Sequence, residues 1–188
     1  MTQQDTTRNR TPQDHAQDSA QDTTRTIRPG EVSVPLPAKT DASLYFIGRI
    51  RTPWNDRKDC PKNAREARES GAVCTIEVDP RWQQALAGVE SCSHLIVLYW
   101  LDQSRRDLVF QSPAHYRSGR GTFALRSPMR PNPIGLSAVQ LIKIEGTKLQ
   151  VVGLDCLDGT PLLDIKPYFA STDSIPDATV GWHAEEKA

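Results

Sequence analysis

No CxxC pair occurs in the 188 residues; the four cysteines stand far apart at Cys60, Cys74, Cys92 and Cys156. A zinc knuckle needs thiolates close enough in the chain to share one ion, so that class is disfavoured and no metal is expected. No apolar run approaches the ~18 residues needed to cross a bilayer. No apolar leader precedes a small-residue cleavage site. No membrane partner is therefore expected. No GxGxxG follows a strand pattern, which argues against a nucleotide-binding α/β sheet. Neither sign of charge is in surplus: 23 lysines and arginines stand against 23 aspartates and glutamates. Bulk charge thus announces no nucleic acid, and any RNA site must be a local patch. Long helical patterns and internal repeats are missing too. The apolar surroundings of Cys74, Cys92 and Cys156 favour reduced core thiols in a cytoplasmic protein.

What is present divides into three parts. Residues 1–43 read as a disordered tail and an extended lead-in. The first 30 or so are Thr, Gln, Asp and Arg in mixed order and bury too little apolar surface to offset the entropy of ordering. The tail solubilises, and its arginines, Arg8 to Arg28, also offer RNA contacts. Residues 44–178 carry the alternation of a folded β domain, and residues 179–188 form a short tail.

Within the domain, Leu44, Phe46, Gly48 and Ile50 alternate with Tyr45, Ile47, Arg49 and Arg51, a strand ended by Thr52-Pro53. Asn63 and Glu66 have the spacing of a capping box for a short helix ending at Gly71, or lie in a ligand loop. Cys74 to Asp79 alternates as a second strand. Asp79 and Pro80 then open a short helix in which Trp82, Leu86 and Val89 pack down. His94 to Asp102 is a continuous apolar run, expected as a central strand. Residues 104–120 are polar and irregular, an exposed excursion holding Arg105, Arg106, Arg117 and Arg120. Its Leu108, Val109, Phe110 and Tyr116 are offered to a partner subunit. GTFALRS is expected as a short strand, and two longer strands meet at Gly146 in a hairpin. The sum is a mainly β domain, a small mostly antiparallel barrel with short helices, closed to protect its edges.

Two motifs hold most of the chemistry. GTFALRSPMRPNPIGLS (Gly121 to Ser137) sets Arg126 and Arg130 four apart, and Pro128, Pro131 and Pro133 forbid a helix through it. LDCLDGTPLLDIKP (Leu154 to Pro167) brings Asp155, Asp158, Asp164 and Lys166 around a second turn. Arg126 suits a carboxylate or phosphate through its fork, or pairs internally with Asp155 or Asp164. Asp164 and Lys166 share a face. His94 is either a core histidine or a site residue. Asn132 recognises an amide-like edge or locks its own loop. Tyr168 and Phe169 are a base platform or core.

These motifs resemble the signatures of the TsaA-like (YaeB-like) family, which includes the TrmO tRNA methyltransferases. The similarity runs from FIGRIRTPW through CTIEVDPRW and GVESCSHLIVLYWL to SIPDA. It implies a small β-barrel that binds S-adenosyl-L-methionine, usually as a homodimer. The implied reaction is methylation of N6 of threonylcarbamoyladenosine at tRNA position 37. Carried over residue by residue, the cofactor contacts fall on Pro61, Lys62, Asn63, Ser93, His94, Arg126, Leu136, Cys156, Leu157, Asp158 and Gly159. Arg130, Asn132, Lys166 and Tyr168 are assigned to the tRNA, and Asp158, Asp164 and His94 are the candidates for moving a proton. Many members read Pro-Arg-Gln where this chain reads Pro61-Lys62-Asn63, and lysine does not reproduce an arginine fork. A small carboxy-terminal domain that some bacterial members append is not expected here. Beside this reading stand a methyltransferase of the same fold acting on a small molecule or another RNA, and a non-catalytic sensor of the same cofactor.

Overall fold

The computed structural model describes residues 26–114 and 116–185. The amino-terminal 25 residues of the expected tail lie outside the described residues. The strands are β1 (Val32–Ser33), β2 (Gly48–Arg51), β3 (Val73–Val78), β4 (His94–Trp100), β5 (Leu108–Gln111), β6 (Arg120–Gly121), β7 (Ile134–Glu145), β8 (Lys148–Val152) and β9 (Pro161–Pro167). Six of them close into a barrel in the order β2-β3-β8-β7-β4-β9, and β9 returns to β2. Every pairing in the ring is antiparallel. The expected fold class is what forms.

Alternation builds the core. Ile50, Ile76, Val78, Leu95, Val97, Tyr99, Val139, Leu149, Val151 and Leu162 all point inward from their strands and are buried. Fully burying one such aliphatic side chain stabilises by about 1.5–3 kcal/mol. Strand β7 is long enough to serve two neighbours: its first half pairs with β4 and its second with β8, with Gln140 opposite both His94 and Val152. The hairpin turns at Gly146, whose φ of 60° lies in the left-handed region.

Several local expectations are met. Asn63 caps helix α1 (Ala64–Glu69), accepting from the Glu66 amide at 3.0 Å. The Glu66 carboxylate reaches back to the Lys62 amide at 3.0 Å, one residue earlier than the standard capping box. Asp79 caps a 3-10 helix over Pro80–Leu86. Leu86 and Val89 pack on the core, while Trp82 stays exposed.

Others are corrected. The first barrel strand is only Gly48–Arg51; Leu44, Tyr45 and Phe46 lie exposed before it. The GTFALRS segment is a 3-10 turn over Thr122–Ala124, because Thr122 turns inward to donate to the Leu108 carbonyl at 2.8 Å. Residues 104–120 are no loose excursion. They supply β5 and β6 to a second sheet of order β1-β5-β6, in which Leu108 and Gln111 are buried. Val32–Ser33 of the lead-in is its edge. Gln111 Nε2 donates to Thr122 Oγ1 at 2.9 Å and to the Met129 carbonyl at 2.7 Å, which ties this sheet to the arginine–proline loop. Leu108 and Tyr116 are therefore not free for a partner subunit: Leu108 is core, and Tyr116 packs edge-on against Trp182 of the short helix α2 (Gly181–Glu185) at 5.1 Å.

Arg105 was expected on the surface, and it is only 7% exposed. It forms a two-pronged pair with Asp107, at 2.8 and 2.6 Å, and that hydrogen bonding holds the Asp107 carboxyl below the usual aspartate range. Replacing Arg105 by Ala should cost about 2–3 kcal/mol, since a charged partner is left unmatched. A carboxyl with a depressed folded pKa adds stability above its ordinary value, about 3.9. That contribution is lost as pH falls through the lower folded value. Denaturant unfolding of wild type and Arg105→Ala across acidic pH should therefore converge; a constant gap would show that the loss is not tied to the Asp107 charge, and superimposed curves that the pair contributes nothing.

Candidate functional site

The chain between β8 and β9 closes one mouth of the barrel. Asp158 Oδ1 accepts from the Thr52 amide at 3.0 Å, and Thr52 Oγ1 donates to the Cys156 carbonyl at 3.0 Å. The backbone amides of Asp158 and Gly159 donate to the Trp54 and Ile50 carbonyls, at 2.8 and 2.9 Å. Arg49 reaches the Gly159 carbonyl at 2.9 Å, and Arg51 lies 3.5 Å from Asp158 Oδ2. Gly159 has φ 78°, so the turn requires glycine. Cys156, Leu157, Asp158 and Gly159 are thus held together as one hydrogen-bonded rim.

Beneath this rim is a buried polar knot that sequence reasoning did not single out. Tyr99 Oη donates to Asp155 Oδ1 at 2.7 Å, and Ser137 Oγ donates to the same oxygen at 3.0 Å. Tyr99 is 3% exposed. A Cβ on Gly135 would fall 2.0 Å from the Tyr99 ring, so that glycine is required by close approach. The available signal was a tyrosine and a serine at inward positions of otherwise apolar strands, since buried hydroxyls need partners. Burial, reinforced by the Asp155 charge, pushes the Cys60 thiol up to about 11; burial also pushes Cys74 to about 11 and raises Cys156. These thiols are neutral and unsuited to nucleophilic work.

A second cluster sits at the other end of β9. His94 Nδ1 lies 3.1 Å from Ser93 Oγ, the Tyr168 amide donates to the His94 carbonyl at 3.1 Å, and the two rings are 6.5 Å apart. The His94 side is exposed, so the core-histidine reading is not realised. Lys166 pairs with Asp164 at 2.6 Å, as their shared face implied. By the rise of an extended chain, β9 sets this cluster about 20 Å from the Asp158 rim. The candidates are therefore not gathered at a single rim of one protomer.

The third group is the arginine–proline loop. Arg126 Nη2 donates to the Leu136 carbonyl at 3.1 Å, which joins two of the candidates. Asp155 and Asp164 are engaged elsewhere, and no carboxylate pairs with Arg126 among the described residues. Arg130 behaves differently. Its guanidinium donates to the carbonyls of Ser127 at 2.8 Å, Thr122 at 3.5 Å and Leu125. Arg106 donates to the Pro131 carbonyl at 2.6 Å, reaches Asn132 Oδ1 at 3.5 Å and stacks 5.3 Å over the Trp100 ring. Asn132 is thereby tied into its own loop. Pro61, Lys62 and Asn63 open α1, which packs against β7. There the Asn63 side chain is occupied by capping, while the Lys62 side chain is exposed.

No group of three or more His, Cys, Asp or Glu side chains among the described residues is arranged to hold a metal. No described helix is long and apolar enough to cross a membrane.

A closed antiparallel barrel with a polar turn across its mouth and an arginine–proline loop on its flank defines the class: a TsaA-like β-barrel. Residues 49–174 match the family described as the tRNA-methyltransferase O N-terminal domain, and the chain belongs to that family. It is 53% identical over 141 residues to a probable S-adenosyl-L-methionine-binding protein, VirR, of Rhizobium radiobacter, covering 75% of this chain and 79% of that one. It is 32% identical over 144 residues to the tRNA (adenine(37)-N6)-methyltransferase of Escherichia coli K12, covering 72% of this chain and 61% of that one. Among solved structures it resembles TrmO from Pseudomonas aeruginosa, with 35% identity and a TM-score of 0.62, covering 76% of this chain and 62% of that one. The chain spans about three fifths of the length of the latter two relatives.

The contacts of Arg130 make a prediction. Arg130→Ala orphans carbonyls in a half-buried loop and should cost about 1–3 kcal/mol. Arg130→Lys should recover little, because an ammonium lacks the planar fork that spans three acceptors. Thermal melts test this, and full stability of the alanine variant would return Arg130 to the phosphate-contacting role.

Proposed function

We propose that the chain is an S-adenosyl-L-methionine-dependent methyltransferase acting on tRNA, at N6 of the threonylcarbamoyladenosine at position 37. Membership of the family supports the reaction class, and the names carried by the E. coli and R. radiobacter relatives support the substrate and the cofactor. The observation that carries the reading is Arg126: a guanidinium on a proline-stiffened loop, bonded to one carbonyl and to no acid. A fixed fork with open N–H groups fits the carboxylate of an amino-acid cofactor at low entropic cost.

The cofactor supplies a methyl group on a sulfonium that departs as a neutral thioether. The chain's task is therefore alignment, exclusion of water and removal of one proton from the attacking nitrogen. Of the three candidates for that proton, two are already committed. Asp158 accepts from Thr52 and faces Arg51, and Asp164 accepts from the Ile165 amide and pairs with Lys166. His94 is exposed and uses only Nδ1, against Ser93. We infer that His94 takes the proton through Nε2. Lys62, Arg126 and Tyr168 remain the tRNA and cofactor contacts with side chains least committed to the fold.

A homodimer completes this reading. Leu136 and Ile134 are 47% and 43% exposed on the outer face of β7, opposite Leu98 and Trp100 of β4, and Phe123 nearby in sequence is 84% exposed. Such a face is suited to a second copy, and the distance between the His94 and Asp158 clusters within one protomer fits a site shared between copies.

Arg126→Ala should weaken S-adenosylmethionine binding by about 1.5–3 kcal/mol, the range for a hydrogen bond to a charged group. That is ~10- to 150-fold by calorimetry. A folded variant that binds normally would remove Arg126 from the cofactor site. Incubating the protein with cofactor and tRNA bearing threonylcarbamoyladenosine, then digesting to nucleosides for mass spectrometry, should show that nucleoside gaining one methyl group. An unchanged nucleoside despite tight cofactor binding would favour the sensor or another substrate.

A further inference from the structure

The buried knot beneath the rim has a feature that the fold alone does not use. Asp155 Oδ1 accepts from both Tyr99 and Ser137, at 2.7 and 3.0 Å. Oδ2 receives no hydrogen bond and no ion pair from any described residue. A half-buried carboxylate with one oxygen doubly tied and the other open has a fixed direction. Leaving a charge partly desolvated and half-satisfied is costly unless something meets it.

The neighbours of Asp155 give the direction meaning. The next residues along the chain, Cys156 to Gly159, form the hydrogen-bonded rim. Ser137, which holds Oδ1, directly follows Leu136, whose carbonyl carries Arg126. The Asp155 charge also reaches Cys60, which directly precedes Pro61-Lys62-Asn63. Three segments distant in sequence thus converge on one carboxylate.

We propose that Asp155 is a ligand-binding residue: its open oxygen receives a positively charged group of the bound S-adenosylmethionine, while Tyr99 and Ser137 are positioning residues that aim it. This rests on the function proposed above and extends it. Arg126 supplies a positive charge for the cofactor's carboxylate, and Asp155 supplies the negative charge. A zwitterionic amino-acid moiety with a cationic sulfonium beside it needs both.

The test separates charge recognition from structural support. Asp155→Asn is nearly isosteric: its amide oxygen still accepts from Tyr99 and Ser137, while an N–H group replaces the open oxygen. Calorimetry would compare three ligands with both proteins. S-adenosylmethionine carries the ammonium and the sulfonium, S-adenosylhomocysteine keeps only the ammonium, and 5′-methylthioadenosine has neither. Asp155→Asn should bind S-adenosylmethionine at least ~10-fold more weakly and 5′-methylthioadenosine as wild type does. An equal loss for S-adenosylhomocysteine identifies the ammonium as the partner, and a loss confined to S-adenosylmethionine identifies the sulfonium. Equal weakening of all three ligands, or of none, overturns the proposal and leaves the function above intact. Wild-type protein that binds no S-adenosylmethionine overturns both. Tyr99→Phe keeps the ring over Gly135 and removes one donor. It should give a smaller loss with the same ligand ranking, so the question stays answerable if Asp155→Asn does not fold; unchanged binding by Tyr99→Phe would overturn the aiming role.

Discussion

Strand β9 has hydrogen-bonding neighbours on both sides, and the barrel exists because of that. Leu162 stands opposite Gly48 of β2 and opposite Tyr99 of β4, so one residue joins both margins of the sheet. Closure leaves no edge in the ring to be protected. It also brings the chain on either side of β9 to opposite ends of the barrel. The Asp158 rim precedes the strand and the His94–Tyr168 cluster follows it. The closeness that closure demands shows at Gly48, where a Cβ would fall 2.1 Å from the Glu77 carbonyl oxygen. A residue that reads as a weak point in a strand is there because two backbones meet.

Polar groups then decide how the mouth is shaped. The apolar core gives way at Tyr99 and Leu154 to polar groups that donate into the β8–β9 connection. Thr52 serves Asp158 and Cys156, while Tyr99 and Ser137 serve Asp155. Such a network is costly when half made and rigid when complete. It holds the connection Leu154 to Thr160, with its two acids, in one shape without a helix or strand through it. The second sheet does the same for the arginine–proline loop through Gln111, whose amide bridges Thr122 and Met129.

The barrel was legible because its signal is a period of two. Cys74 to Val78 and the two arms of the Gly146 hairpin alternate; all three are strands of the barrel, and the hairpin arms pair as expected. The Asn63 cap and the Asp164–Lys166 pair were legible for the same reason: each is local, within four residues. What the sequence hid was non-local. Residues 104–120 look like loop because their partners include Val32, Gly121 and Met129, outside the segment, and no local pattern reports them. Thr122 belongs to an apparent strand until a carbonyl fourteen residues earlier claims its hydroxyl. Tyr99, Ser137 and Asp155 come from three elements, and only closure brings them together.

The arginines show the same non-local control. In sequence, Arg105 and Arg106 belong to an exposed excursion, Arg126 is offered to a carboxylate or phosphate and Arg130 to the tRNA, so all four read as available cations. The fold separates them by the acceptors it leaves unpaired. Arg105 goes to Asp107, Arg106 to Pro131 and the Trp100 ring, and Arg130 to carbonyls of its own loop. Prolines leave the carbonyl acceptors of Arg106 and Arg130 open: Pro128, Pro131 and Pro133 bar a helix, and the carbonyls a helix would have used are left for side chains. A segment built to be rigid without regular structure must therefore consume cations to satisfy itself. Arg126, with a single carbonyl contact at 3.1 Å, is the least consumed of the four. The neutral net charge is then no obstacle to an anionic ligand, because recognition rests on which cation the fold leaves free rather than on how many the chain contains.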